Sequence, residues 1–395
     1  MRTPLLFLLL PAAAVSVPGT PQDAARPTEL VPIPAVEVGD MRDILGVNHI
    51  NVLYTVTDKD ALNEGADSIL EMGSRVIKIT MREAMTPHYR HNSQWPEVTS
   101  LAQLAQSPIL RELFGKPFTT YAVMAFRPGK PVLYQVDGMT PDDVQAEKDA
   151  FYELTRHFLT TYRGTGKTFI LQDWEGDWVL TNPPLDMDKV PDPVAVQGMI
   201  DWLNARQDGV DRARDELGMD GVRVFHASEV NLLTKAMAGK PTMTNNVLPN
   251  THCDLYSYSA YDTMVQGREK LRASLEYLKS KAPDSRWFGD DNIYIGEFGW
   301  PETLVPEEKR LEFIRESVEI GLECGAQYLL FWALYDDGIR DPDVASKLSL
   351  DTLDRPLTND DMVGNWLIRP DGTKSPIWDY CVDLCDGERH GEAAR

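Results

Sequence analysis

Cysteine is scarce: four in 395 residues, at Cys253, Cys324, Cys381 and Cys385. That is too few for a disulfide-stapled scaffold, and the spacing contains no Cys-x-x-Cys pair of the metal-binding kind. All four read as structural. An oxidising compartment would permit a Cys381–Cys385 bridge, a pairing that sequence leaves open. Basic residues are also in short supply, 39 Lys and Arg against 61 Asp and Glu, for a net charge of −22. A phosphate backbone would be repelled, so nucleic acid is not an expected partner. Past the N-terminus no stretch approaches the ~20 apolar residues of a membrane span. There is no Gly-x-Gly-x-x-Gly after a strand and no Walker motif. Residues 164–168 (Gly-Thr-Gly-Lys-Thr) lack the first glycine at the proper spacing and lead into a strand instead of a helix. No His-x-His or other dense ligand spacing is present, so neither a metal nor a cofactor is expected.

What the chain does have is apolar and aromatic bulk. The hydrophobic fraction is 43%, with 9 Trp, 14 Tyr and 12 Phe, enough for a sizeable core with aromatics to spare for a binding surface. Residues 1–20 begin Met-Arg-Thr-Pro, followed by a short leucine-rich core and small residues. This is the pattern of a secretory signal peptide, and its core is too short to anchor the chain. The expected location is therefore secreted or periplasmic, with no membrane attachment after signal cleavage. Residues 21–40, rich in Pro and Ala, read as a linker or arm, and 387–395 as a disordered tail.

Between these ends the chain alternates. Short apolar runs fall at 44–47, 76–81, 121–126, 169–171, 222–225, 254–258, 293–295 and 328–332. Amphipathic helical patterns lie between them, including 61–72, 144–162, 194–217, 269–279 and 307–324. Eight strands with helical crossovers imply parallel pairing, and eight such units close into a (β/α)8 TIM barrel. The expectation is a single catalytic α/β domain over 41–386.

Functional residues of such a barrel gather where the strands end. After the runs come Asn48, His49 and Asn51; Arg82 and Glu83; Arg127; Asp173, Trp174, Glu175, Asp177 and Trp178; His226 and Glu229; Ser259, Tyr261 and Asp262; Glu297 and Trp300; Trp332, Tyr335, Asp336 and Asp337. This mouth is acidic and aromatic. Ring faces of Trp suit the C–H faces of a sugar, and carboxylates, amides and Arg suit its hydroxyls. The expected partner is a carbohydrate substrate. Hydrolysing a glycosidic bond takes two carboxyl groups, one to protonate the leaving oxygen and one to attack the anomeric carbon or activate water. Glu175 and Glu297 end two different strands.

The segment order resembles the clan A glycoside hydrolases, retaining enzymes on (β/α)8 barrels. Residues 293–299 (Ile-Tyr-Ile-Gly-Glu-Phe-Gly) resemble the strand-seven nucleophile motif, and 253–261 (Cys-Asp-Leu-Tyr-Ser-Tyr-Ser-Ala-Tyr) the sixth strand. Residues 330–332 (Leu-Phe-Trp) resemble the eighth strand, and 366–376 the segment before the last helix. The resemblance covers roughly 41–385 and implies Glu297 as nucleophile and Glu175 as acid/base. It puts Tyr261 on the nucleophile, Arg82 in support of it, and Trp332 under the sugar. Asn48, Trp174, His226 and Trp300 join these as expected substrate-binding residues. Two positions depart from the pattern. Ser259 stands where many members have His, and Trp174-Glu175-Gly176 stands where Asn-Glu-Pro is usual. The missing Asn leaves Asp173 and Asp177 as rival proton donors, and leaves a catalytically silent carbohydrate-binding barrel as the alternative.

Overall fold

The computed structural model describes residues 40–181, 188–350 and 352–387. The expected signal peptide, the arm up to residue 39 and the tail from residue 388 lie outside the described residues. Eight parallel strands close into a barrel in sequence order. They are β1 (Leu45–Asn48), β2 (Val76–Met81), β3 (Thr120–Ala125), β4 (Thr168–Gln172), β5 (Arg223–Val230), β6 (Leu255–Ser259), β7 (Ile293–Phe298) and β8 (Leu329–Phe331). Helices fill the crossovers, so the chain is a (β/α)8 TIM barrel.

Strand alternation sorts side chains into two cores. Outward-facing residues meet the helices. The helix Pro141–Thr161 starts at Thr140, whose side chain accepts the Asp143 N–H, and turns Phe151, Leu154 and Phe158 inward. Phe158 stacks on Phe169 of β4 with centroids 4.0 Å apart. Burying each such ring stabilises the layer by about 1.5–3 kcal/mol. Inward-facing residues form a separate plug of Val76, Ala122, Ile170, Phe225, Ala227, Leu255, Tyr294 and Leu330.

Above that apolar floor the interior turns polar, because the next inward positions are Asn48, Lys78, Gln172, Glu229 and Ser257. The strand register puts Asn48 beside Lys78 and Glu229 beside Ser257. The four cysteines are free thiols.

Candidate active site

The polar layer is organised around one buried cation. Lys78 and Glu229 are each 0% exposed. Lys78 Nζ donates to Glu229 Oε1 at 2.8 Å, to Glu297 Oε1 at 3.0 Å and to the Gly296 carbonyl at 3.3 Å. All three ammonium donors are thus used. Burial works to discharge Lys78, but the two carboxylates outweigh it and hold its pKa above the ordinary lysine value.

Glu297 owes its place to a bulge. Tyr258 pairs with Ile295 and Ser259 with Glu297, so Gly296 is an extra residue in β7. Both Gly296 and Glu297 then face the interior. A Cβ on Gly296 would sit 1.9 Å from Ser257 Oγ and 2.4 Å from Glu229 Oε1. Those two atoms are buried and bonded to each other at 2.8 Å, so neither can yield. Gly296→Ala is therefore expected to destabilise the fold by about 1–3 kcal/mol, the usual cost of overpacking. It should also remove the activity proposed below. Urea unfolding and a rate assay read the two effects; a variant with unchanged midpoint and rate would contradict the bulge argument.

Glu175 follows β4 with a φ of +24°, in a region that L-residues rarely occupy. Its N–H donates to Glu229 Oε2 at 3.1 Å. Its carbonyl accepts the Trp178 N–H at 2.9 Å and opens the buried helix Gly176–Thr181. The two expected catalytic carboxyls, Glu175 at 4% exposure and Glu297 at 3%, sit close enough to perturb one another. Burial raises the Glu175 pKa well above the carboxylate range, and the charges of Glu297 and Glu229 raise it further. Burial also raises Glu297, against which Lys78 pulls in the opposite direction by charge and hydrogen bond. The net shift of Glu297 is still upward, to about 8, and of the two carboxyls Glu297 is the one that touches the cation. Tyr261, just after β6, donates its hydroxyl to Glu297 Oε2 at 3.4 Å.

The rival carboxyls are occupied in the framework. Asp177 accepts the N–H groups of Met243, Asn231 and Leu232 at 2.8, 3.1 and 3.3 Å. Asp173 accepts the Glu229 N–H at 2.7 Å, and burial pushes its pKa up to about 7.

One expected binding residue, His226, is placed differently from the sequence reading, and two more, Arg82 and Asn48, have partners the sequence did not foretell. Arg82 lies one residue beyond β2, with Nη1 3.2 Å from His88 Nε2 and its guanidinium 5.9 Å from the Phe126 ring centroid. Lys78 is a cation in contact with Glu297. His226 is not at a strand end at all. β5 runs on to Val230, and His226 packs edge-on against Phe151 of the helix layer, fully buried, with burial lowering its pKa well below normal. Asn48 spends its amide nitrogen on the carbonyls of Gly296, Leu330 and Phe331, at 3.1–3.2 Å, tying β1 to β7 and β8. Trp174, Trp300 and Trp332 are half-buried at the strand ends. Trp300 packs on Phe313, and its carbonyl accepts Arg310 Nε at 2.7 Å. Trp332 leads into a cis peptide bond with Ala333 and hydrogen-bonds Asp337, which also accepts from Asn51 at 2.9 Å.

Sequence reasoning missed Lys78 outright. The signal was present, since a lysine inside the run Val-Ile-Lys-Ile-Thr-Met must find a buried partner. Glu229 was noted only as a residue beyond the fifth run.

No protein-family profile and no curated protein sequence matches the chain. Solved structures do. An exo-β-1,4-mannosidase from Opitutaceae bacterium strain TAV5 superposes with a TM-score of 0.56 at 13% identity, over 87% of this chain. This chain spans only 59% of that mannosidase chain. A GH5_18 protein from Bifidobacterium longum subsp. longum, solved in complex with Manβ1-4GlcNAc, gives 0.53 at 16% identity, covering 88% of this chain and 79% of that one. A glycoside hydrolase 5 lichenase from Caldicellulosiruptor sp. F32, a mutant in complex with cellotetraose, gives 0.53 at 12% identity, covering 92% and 98%. At these identities the likeness establishes the fold: the chain resembles the (β/α)8 glycoside hydrolases of clan A in architecture.

Proposed function

We propose that this protein is an exported glycoside hydrolase that cleaves O-glycosidic bonds of an oligo- or polysaccharide with retention of configuration. The observation that carries the proposal is the unequal pair of carboxyls at the ends of β4 and β7. Glu297 is held by a buried cation, while Glu175 has none in contact among the described residues and is driven to keep its proton. This is the division of labour that double displacement requires.

Glu297 attacks the anomeric carbon as the bond to the leaving oxygen breaks. That oxygen takes the Glu175 proton. Lys78 holds Oε1 of the nucleophile, which leaves Oε2, beneath the Tyr261 hydroxyl, for bond formation. In the second half Glu175, now ionised, takes a proton from water. The water oxygen attacks the anomeric carbon and Glu297 departs as the carboxylate. The half-buried Trp174, Trp300 and Trp332 offer stacking faces for the sugar. The neighbours described as a β-mannosidase and a lichenase favour β-linked hexosides as the first substrates to try. Export rests on the signal-like composition of residues 1–20.

Proton NMR of a fresh digest decides the stereochemistry. Aryl β-mannoside and aryl β-glucoside should release the β-anomer first. Initial release of the α-anomer would mean inversion and remove Glu297 as nucleophile. The second reading, a barrel that only binds sugar, draws on Trp174 standing where Asn is usual. It predicts no turnover of either glycoside, with binding retained.

A further inference from the structure

Glu229 has no place in the two-carboxylate scheme, yet more of the site converges on it than on any residue of that scheme. Its Oε1 accepts Lys78 Nζ at 2.8 Å, Ser257 Oγ at 2.8 Å and Gln172 Nε2 at 3.2 Å, and its Oε2 accepts the Glu175 N–H at 3.1 Å. A fully buried carboxylate whose two oxygens accept four donors has no free position toward a substrate. It is therefore not a third proton donor.

Two of its links reach the catalytic pair from opposite sides. On one side Glu229 and Glu297 share the Lys78 ammonium, which fixes the cation against the nucleophile. On the other, β4 and β5 clasp reciprocally: Asp173 Oδ1 accepts the Glu229 N–H at 2.7 Å, and Glu229 Oε2 accepts the Glu175 N–H at 3.1 Å. That clasp closes over the residue whose φ is +24°. A backbone conformation of this kind costs about 1–3 kcal/mol and persists only when its surroundings hold it.

Resting on the retaining-hydrolase reading above, we propose that Glu229 is a positioning residue: it sets the Lys78 cation against the nucleophile Glu297 and the Glu175 backbone at the acid/base, locking the spacing of the two carboxyls. The titratable groups facing it are Lys78 from β2, Asp173 and Glu175 from the end of β4, Tyr261 after β6, and Tyr294 and Glu297 from β7. The negative charge of Glu229 raises both Glu175 and Glu297, so neutralising it should lower both.

The test is steady-state kinetics of the full protein against pH, on an aryl β-glycoside that the wild type cleaves. Glu229→Gln is expected to lower kcat about 10²-fold, the order of loss that a misplacement near 1 Å brings. KM should change little, and both limbs of the pH profile should move to lower pH. Glu229→Asp keeps the charge but shortens the reach. It should leave the limbs in place, lower kcat at least about 10-fold and serve as the readout if the Gln variant does not fold. Wild-type kcat in Glu229→Asp, or wild-type kcat and limbs in a folded Glu229→Gln, would overturn the positioning role while leaving the hydrolase reading intact. A wild type that turns over no glycoside would instead overturn the hydrolase reading on which the role rests.

Discussion

Glu297→Ala is expected to lower kcat on an aryl β-glycoside by about 10⁴–10⁶-fold, the scale on which removing a nucleophile from a covalent mechanism acts. A 2-deoxy-2-fluoro glycosyl probe with a good leaving group should add its glycosyl mass to the wild type, on the peptide carrying Glu297, and add nothing to the variant. The fold should survive. Lys78 keeps its 2.8 Å contact with Glu229 when Glu297 is gone, so no buried cation is stranded. Removing a carboxyl whose ionisation burial already disfavours should also offset part of the cavity left behind. A melting temperature within a few degrees of the wild type is expected, since about 1 kcal/mol moves a chain of this size by only ~2–4 °C. Activity above a tenth of the wild type, or a probe attached to another residue, would remove Glu297 from its role.

The barrel was legible because its signal is repeated eight times. Val76–Met81 is a strand over the very residues of its apolar run, and the other seven strands overlap theirs. The five helical patterns were as readable, though Pro108–Gly115 between β2 and β3 was not among them: the pattern at 194–217 is the helix Pro193–Leu217, which Asp192 opens by accepting the Val194 N–H and Gly218 closes at φ +69°. Errors arose where the barrel interior is polar. β5 reads as finished at Phe225 because His-Ala-Ser-Glu follows, yet it continues to Val230. Glu229 is paired across the barrel and His226 packs on Phe151 of the helix layer, tertiary facts that local hydropathy does not carry. The rule of inspecting residues after each run then selected His226 and passed over Lys78. The bulge at Gly296 was equally hidden. Strict alternation from Tyr294 would send Glu297 outward, and only the register with β6 turns it in.

The last and most diagnostic expectation concerns Glu175. Glu175→Ala should slow a β-linked disaccharide by about 10³–10⁴-fold, because its sugar leaving group must be protonated, and a general acid contributes about 10²–10⁴-fold. A dinitrophenyl glycoside needs no such help in the first half-reaction and should lose far less there. The covalent intermediate should accumulate, since the second half-reaction has lost its base. Azide, small enough for the vacated space and needing no deprotonation, should restore turnover and yield a β-glycosyl azide. The pH profile supplies an independent check. In the wild type, burial together with the charges of Glu297 and Glu229 holds the Glu175 proton upward in pH, so activity falls as pH rises through that pKa. The acidic limb belongs to Glu297, which must be ionised to attack. Glu175→Ala should therefore lose the alkaline limb and keep the acidic one. A variant that retains the alkaline limb, or that slows both substrates equally with no response to azide, would hand the proton to another group. Asp173, whose Oδ1 accepts the Glu229 N–H at 2.7 Å and whose pKa burial raises to about 7, would be the next candidate. That outcome would keep a hydrolase and remove Glu175 from the acid/base role.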